Sequence, residues 1–125
     1  MTRAAIFGCS SAGQRTRLHY QATYKVLAFL DNDRSKHGTR VLGVRVCDPE
    51  QFNYNDVDPV LIASMYLDQI LVQLLNLGVP ASKIEYVSED VMMRDVSTRF
   101  TGFPRLVSSI ESALYLPFRL LRKVA

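Results

Sequence analysis

A doubly wound, parallel α/β sheet of about five strands with a C-terminal helical extension is the fold class that this 125-residue sequence predicts. Three observations predict it. Short apolar runs alternate with segments of helical periodicity, the pattern of a parallel sheet flanked by helices. The first run, Ala4-Ala5-Ile6-Phe7, empties directly into Gly8-Cys9-Ser10-Ser11-Ala12-Gly13. The second, Tyr24 to Leu30, is apolar almost throughout, as a strand covered on both faces must be, and ends on Asp31.

Taken in order, residues 3–8 read as the first strand and 12–22 as a polar helix, with Leu18 its clearest buried contact. Tyr24–Leu30 is the second strand, and 31–38 a polar, turn-rich loop. Val41 to Val46 reads as one short strand near an edge, because Arg40 and Arg45 interrupt it. Asp48-Pro49-Glu50 has the N-cap and first-turn proline of a brief helix ending near Tyr54. Val60 to Ala63 is the next buried strand, and Ser64 can cap the helix that follows. That helix, 66–77, carries Ile70, Leu71, Leu74, Leu75 and Leu77 at helical spacing and stops at Gly78. Residues 83–87 supply a last strand.

Composition narrows the class. An apolar fraction of 48% and a charged fraction of 22% are those of a globular domain, and no run approaches a membrane span. Cys9 and Cys47 make no disulfide framework, which points to reduced thiols in a cytoplasmic protein. His19 and His37 are isolated and no Cys-x-x-Cys occurs, so no metal site is expected. The net charge of +3 resides in the tail: residues 94–125 sum to +4 and residues 1–93 to −1. On that distribution no nucleic-acid partner is expected.

The glycine turn carries the chemistry. Backbone N–H groups at a helix start point at an anion, and the helix dipole favours negative charge there. Gly8 permits a sharp exit from the strand and Gly13 a close helix–strand contact, while Ser10 stands where a middle glycine is expected. Ser10 either hydrogen-bonds a phosphate or obstructs it. Asp31 lies 18 residues after Gly13, where a carboxylate accepts from an adenosine ribose and repels a 2′-phosphate, favouring NAD over NADP. Arg34 and Lys36 weaken that preference, since either can reach a phosphate. Ala63 and Ser64 follow a strand on the same edge and leave room for a sugar ring. The candidate cofactor-binding set is therefore Gly8, Ser10, Ser11, Ala12, Gly13, Asp31, Ala63 and Ser64. Each has a structural alternative: the glycines serve a ligand-free turn, Asp31 a loop, and Ser64 a plain cap. Cys9, beside a helix start that can depress a thiol pKa, has no nameable base and reads as a small buried side chain. No catalytic residue is assignable, and no tyrosine is followed four residues later by lysine, so a short-chain dehydrogenase site is missing.

With these residues in view, residues 3–87 resemble the small Rossmann-like domains of bacterial surface-polysaccharide enzymes. Examples are the N-terminal domains of sugar O-acyltransferases and the CoA-binding-like domain preceding CapD-type nucleotide-sugar dehydratases. The stretches that match are Ile6-Phe7-Gly8 with Ala12-Gly13, Tyr24 through Asp33, Gly38 through Val46, and Val60 to Ser64. The resemblance implies nucleotide-sugar or glycan metabolism and a ligand, NAD or a nucleotide-sugar, at Gly8–Gly13 and Asp31. Ser10, and the lack of an acyltransferase or dehydratase domain after residue 90, depart from it.

Residues 1–90 thus read as a nucleotide-binding domain and 91–125 as an amphipathic, basic extension. In the latter, Leu106, Val107, Ile110, Leu114, Phe118, Leu121 and Val124 recur every three or four positions. Such a stripe packs on the domain or on a second subunit, a homodimer or a glycan-synthesis enzyme. Its Arg119, Arg122 and Lys123 also suit peripheral contact with an anionic membrane. Two functions compete at this stage: a nucleotide-binding module, and a ligand-free interaction protein that oligomerises through the tail.

Overall fold

The computed structural model describes residues 1–93. In order, the elements are β1 (Thr2–Phe7), α1 (Ser11–His19), β2 (Tyr24–Leu30), β3 (Arg40–Val41), β4 (Val44–Cys47), β5 (Val60–Ile62), α2 (Leu67–Asn76), β6 (Ile84–Tyr86) and α3 (Glu89–Met92). The strands form one six-stranded sheet in the order β3-β4-β2-β1-β5-β6, a Rossmann-like arrangement. Every pairing is parallel except β3 with β4.

Side-chain alternation along the strands divides the core between the two faces of the sheet. One face gathers Phe7, Leu30, Val60, Ile62, Ile84 and Tyr86 beneath α2, which contributes Ile70 and Leu74. The other gathers Ile6, Phe29, Val46, Leu61 and Val87 with Val91 and Met92 of α3. Complete burial of each large side chain contributes about 1.5–3 kcal/mol, so these two layers dominate the stability of the sheet. The Arg15 guanidinium donates to the Met92 carbonyl at 3.0 Å, which ties the end of α3 to α1.

Several local expectations need correction. The 41–46 segment is two strands, because Leu42 (φ 50°) and Gly43 (φ 75°) reverse the chain in a two-residue hairpin. The sheet therefore has six strands, not five. Helix α1 ends at His19 and presents Gly13 and Thr16 to the sheet. Leu18, two residues beyond Thr16, falls on the opposite side and is 50% exposed. Thr16 is buried because its hydroxyl donates to the Ala12 carbonyl at 2.8 Å, within its own helix. After Asp48 only a single turn forms, and no α-helix: the Asn53 side chain captures the Asn55 N–H at 3.0 Å and starts a separate 3₁₀ turn. The proposed tail helix, with its basic cluster, lies outside the described residues. So does the proposed extension beyond residue 93.

Candidate functional site

From β1 the chain steps to β2 and β4 on one side of the sheet and returns to β5 and β6 on the other. The gap between the carboxyl ends of β1 and β5 is thus the point where strand order reverses, the place where open parallel sheets hold ligands. Register puts Phe7 beside both Leu30 and Ile62, so the residues that follow them, Gly8, Asp31 and Ala63, emerge side by side. A crevice of about 570 Å³ opens there. A depression of about 590 Å³ lies elsewhere, around Arg45, Phe52 and Asp56, so position rather than volume singles out the first.

The β1–α1 turn is close-packed around its two glycines. Gly8 adopts φ +116°, and a Cβ there would sit 2.6 Å from the Ala63 carbonyl oxygen. The Gly8 N–H donates to the Leu30 carbonyl at 2.7 Å. A Cβ on Gly13 would land on the Gly8 carbonyl oxygen itself. Only glycine lets α1 start this near the strand. Ser10 is the N-cap residue, but its side chain makes no capping bond. The first-turn N–H groups of α1 therefore keep their donor capacity. The Ser10 hydroxyl instead meets the Lys36 ammonium at 3.4 Å. Both residues line the crevice, so Ser10 presents a hydroxyl to it beside a cation.

Asp31 stands at the end of β2 with its carboxylate turned into the turn. One oxygen accepts from the Cys9 N–H at 3.3 Å and from the Cys9 thiol at 3.2 Å. The other accepts from the Asp33 N–H at 2.9 Å. Burial pushes this carboxyl up, but the Asp33 N–H, the two Cys9 donors and the Lys36 charge together hold it below the ordinary carboxylate range. Asp31 is therefore ionised at neutral pH. A carboxylate offers about four acceptor positions, so one remains for a ligand hydroxyl.

The same contacts set the character of Cys9. Burial, then the hydrogen bond to Asp31 and its negative charge, raise the thiol to about 11. Cys9 is thus the small, buried side chain that the sequence suggests. With Cys47→Ser removing the second thiol, Cys9 is expected to react with iodoacetamide at pH 8 on the order of 100-fold more slowly than free cysteine. The added substitution Asp31→Asn should speed the reaction. Wild-type alkylation at the free-cysteine rate would show that the thiol does not rest on the carboxylate.

The remaining candidates divide. Ala12, Ala63 and Ser64 line the crevice, Ala63 being buried. Ser11 begins α1 and is exposed. The Ser64 hydroxyl accepts from the Tyr66 N–H at 3.1 Å, while the N-cap position of α2 belongs to Tyr66. Asn32, Tyr66, Gln69 and Gln73 also line the crevice and were not singled out from the sequence. Nothing in the local pattern marks the last three, which come from α2 and its approach.

Fold and site together define a Rossmann-like architecture with a crevice at its switch point, and comparison with known proteins places the chain more narrowly. Residues 1–85 match the family described as C2185-like, N-terminal, and the chain belongs to that family. The matching family model is not one of those named for the polysaccharide enzymes that the sequence resembles. No curated protein matches the sequence. Among solved structures, RSP, a Rex-family repressor, is 17% identical with a TM-score of 0.56, over 79% of this chain and 58% of that one. The same repressor in complex with β-NAD+ and operator DNA gives a TM-score of 0.54 at 17% identity, over 79% and 56%. UDP-D-quinovosamine 4-dehydrogenase from Vibrio fischeri is 19% identical with a TM-score of 0.51, over 80% and 87%. At this identity the likeness is one of fold, and the chain spans little more than half the length of the repressor.

One expectation is overturned by these neighbours. The charge distribution had argued against a nucleic-acid partner, yet a repressor solved on operator DNA shares this fold. Net charge averages over a whole surface, and a domain mean near zero leaves local basic patches and attached segments able to meet DNA. Among the described residues, no helix is long and apolar enough to cross a membrane.

Proposed function

We propose that the crevice between β1 and β5 binds a nucleotide, NAD(H) or a nucleotide-sugar, and that the domain serves bacterial nucleotide-sugar or surface-polysaccharide metabolism. The observation that carries this reading is the meeting, on one sheet edge, of an uncapped helix start with an ionised carboxylate. The N–H groups of Ser11, Ala12 and Gly13 would hold the pyrophosphate, as helix starts do. Ser10 and Lys36 add a hydroxyl and a positive charge beside them. Asp31 would accept from one ribose hydroxyl, and Ala63 leaves space for the ring. When bound, NAD supplies a redox-active nicotinamide; these residues only hold and orient it. The resemblance to CapD-type domains, together with a fold neighbour that acts on a UDP-sugar, supports the metabolic setting.

Titration calorimetry on the full chain with NAD, NADP and UDP-glucose tests the reading. NAD or UDP-glucose should bind at one site per chain, and NADP more weakly than NAD because Asp31 repels a 2′-phosphate. Absence of heat from all three at millimolar concentration would overturn it.

A further inference from the structure

At the mouth of the crevice, Asn32 and Gln73 bond each other in both directions. The Asn32 amide nitrogen donates to the Gln73 side-chain oxygen at 2.9 Å, and the Gln73 nitrogen to the Asn32 oxygen at 2.8 Å. Asn32 follows Asp31 at the end of β2, whereas Gln73 projects from α2 across the switch point. The pair therefore joins the two walls of the crevice. It is exposed, so water competes for both amides and the net worth of their mutual bonds is small. Such a pair opens at little cost.

Each amide carries an adjacent donor and acceptor, the complement of the 6-amino group and N7 of adenine. The location agrees with that chemistry. Asn32 directly follows Asp31 and lines the same crevice, so it stands beside the place where Asp31 would hold a ribose. Ile70, on the same face of α2, supplies buried apolar surface at the crevice wall for its ring.

We propose that Asn32 and Gln73 are the base-reading residues of this site and trade their mutual bonds for the edge of an adenine. This inference rests on the nucleotide-binding reading above. Its test compares NAD with the dinucleotide whose adenine is replaced by hypoxanthine, where a carbonyl stands in place of the 6-amino donor. Titrated into the full chain, NAD should bind about tenfold more tightly than the hypoxanthine analogue. In Asn32→Ala and in Gln73→Ala that preference should shrink to within about twofold, a ratio that loss of a merely structural contact would not change. Equal binding of the two dinucleotides by the wild type would overturn the base-reading role and leave the nucleotide site standing. A preference surviving both substitutions would do the same. Tighter binding of UDP-glucose than of NAD, weakened by either substitution, would overturn the assignment to adenine. Failure of both dinucleotides to bind would overturn this inference together with its NAD reading.

Discussion

Gly13→Ala is expected to lower the melting temperature of this protein by well over 10 °C, roughly 12–24 °C if overpacking costs about 3 kcal/mol. The new methyl would coincide with the Gly8 carbonyl oxygen. That atom is backbone in a turn already fixed by the Gly8 N–H on Leu30, so it cannot swing aside. Helix α1 would have to lift off β1, loosening the face it covers. Alanine does gain about 1 kcal/mol over glycine inside a helix, and the clash outweighs it. Gly38→Ala is the control: nothing lies within 4 Å of its added Cβ, and only its φ of +82° opposes the change. Thermal melts of the two variants should differ widely, and equal melting temperatures would show that α1 has room to move.

Asp31→Ala is expected to abolish nucleotide binding and to destabilise the domain. Its carboxylate joins three jobs: it accepts from the turn through Cys9, orders its own loop through Asp33, and keeps one acceptor position toward the crevice. Removing it strands the Cys9 N–H, at a cost of about 1–3 kcal/mol. The sign of the pH dependence follows from the folded carboxyl being held below its unfolded value. Asp31 stabilises the fold above the unfolded carboxylate range, and that contribution fades as pH falls through the lowered folded value. The stability gap between wild type and Asp31→Ala should therefore be full at pH 7 and narrow below about pH 4. Urea unfolding at several pH values measures it. A gap that widens in acid would contradict the hydrogen-bonding scheme.

Much of this was legible in the sequence because it is local. Glycines at positions 8 and 13, an acid after an apolar run, and the leucine periodicity of α2 each follow from spacing along a few turns of chain. The hairpin at Leu42-Gly43 was missed because Val41 to Val46 reads as one apolar run unless Gly43 is given its turn. Leu18 was misplaced because small Gly13 and Thr16 face the sheet, and hydrophobicity alone does not reveal a close contact built on small residues. Cys9 was read as a small buried side chain, which it is, but its hydrogen bond to a carboxylate 22 residues away was not legible. Asn32 and Gln73, 41 residues apart, meet only once the sheet order is known. Glycine turns announce themselves in sequence; contacts across a switch point do not.

The central claim is that one crevice, between β1 and β5, takes the nucleotide. Mapping backbone amide shifts by NMR while NAD is added to the isotopically labelled 125-residue chain tests it most directly. The structure predicts that the largest changes cluster at residues 10–13, 31–32 and 63–66, on one edge of the sheet. Changes centred elsewhere, or none at saturating NAD and UDP-glucose, would contradict the claim.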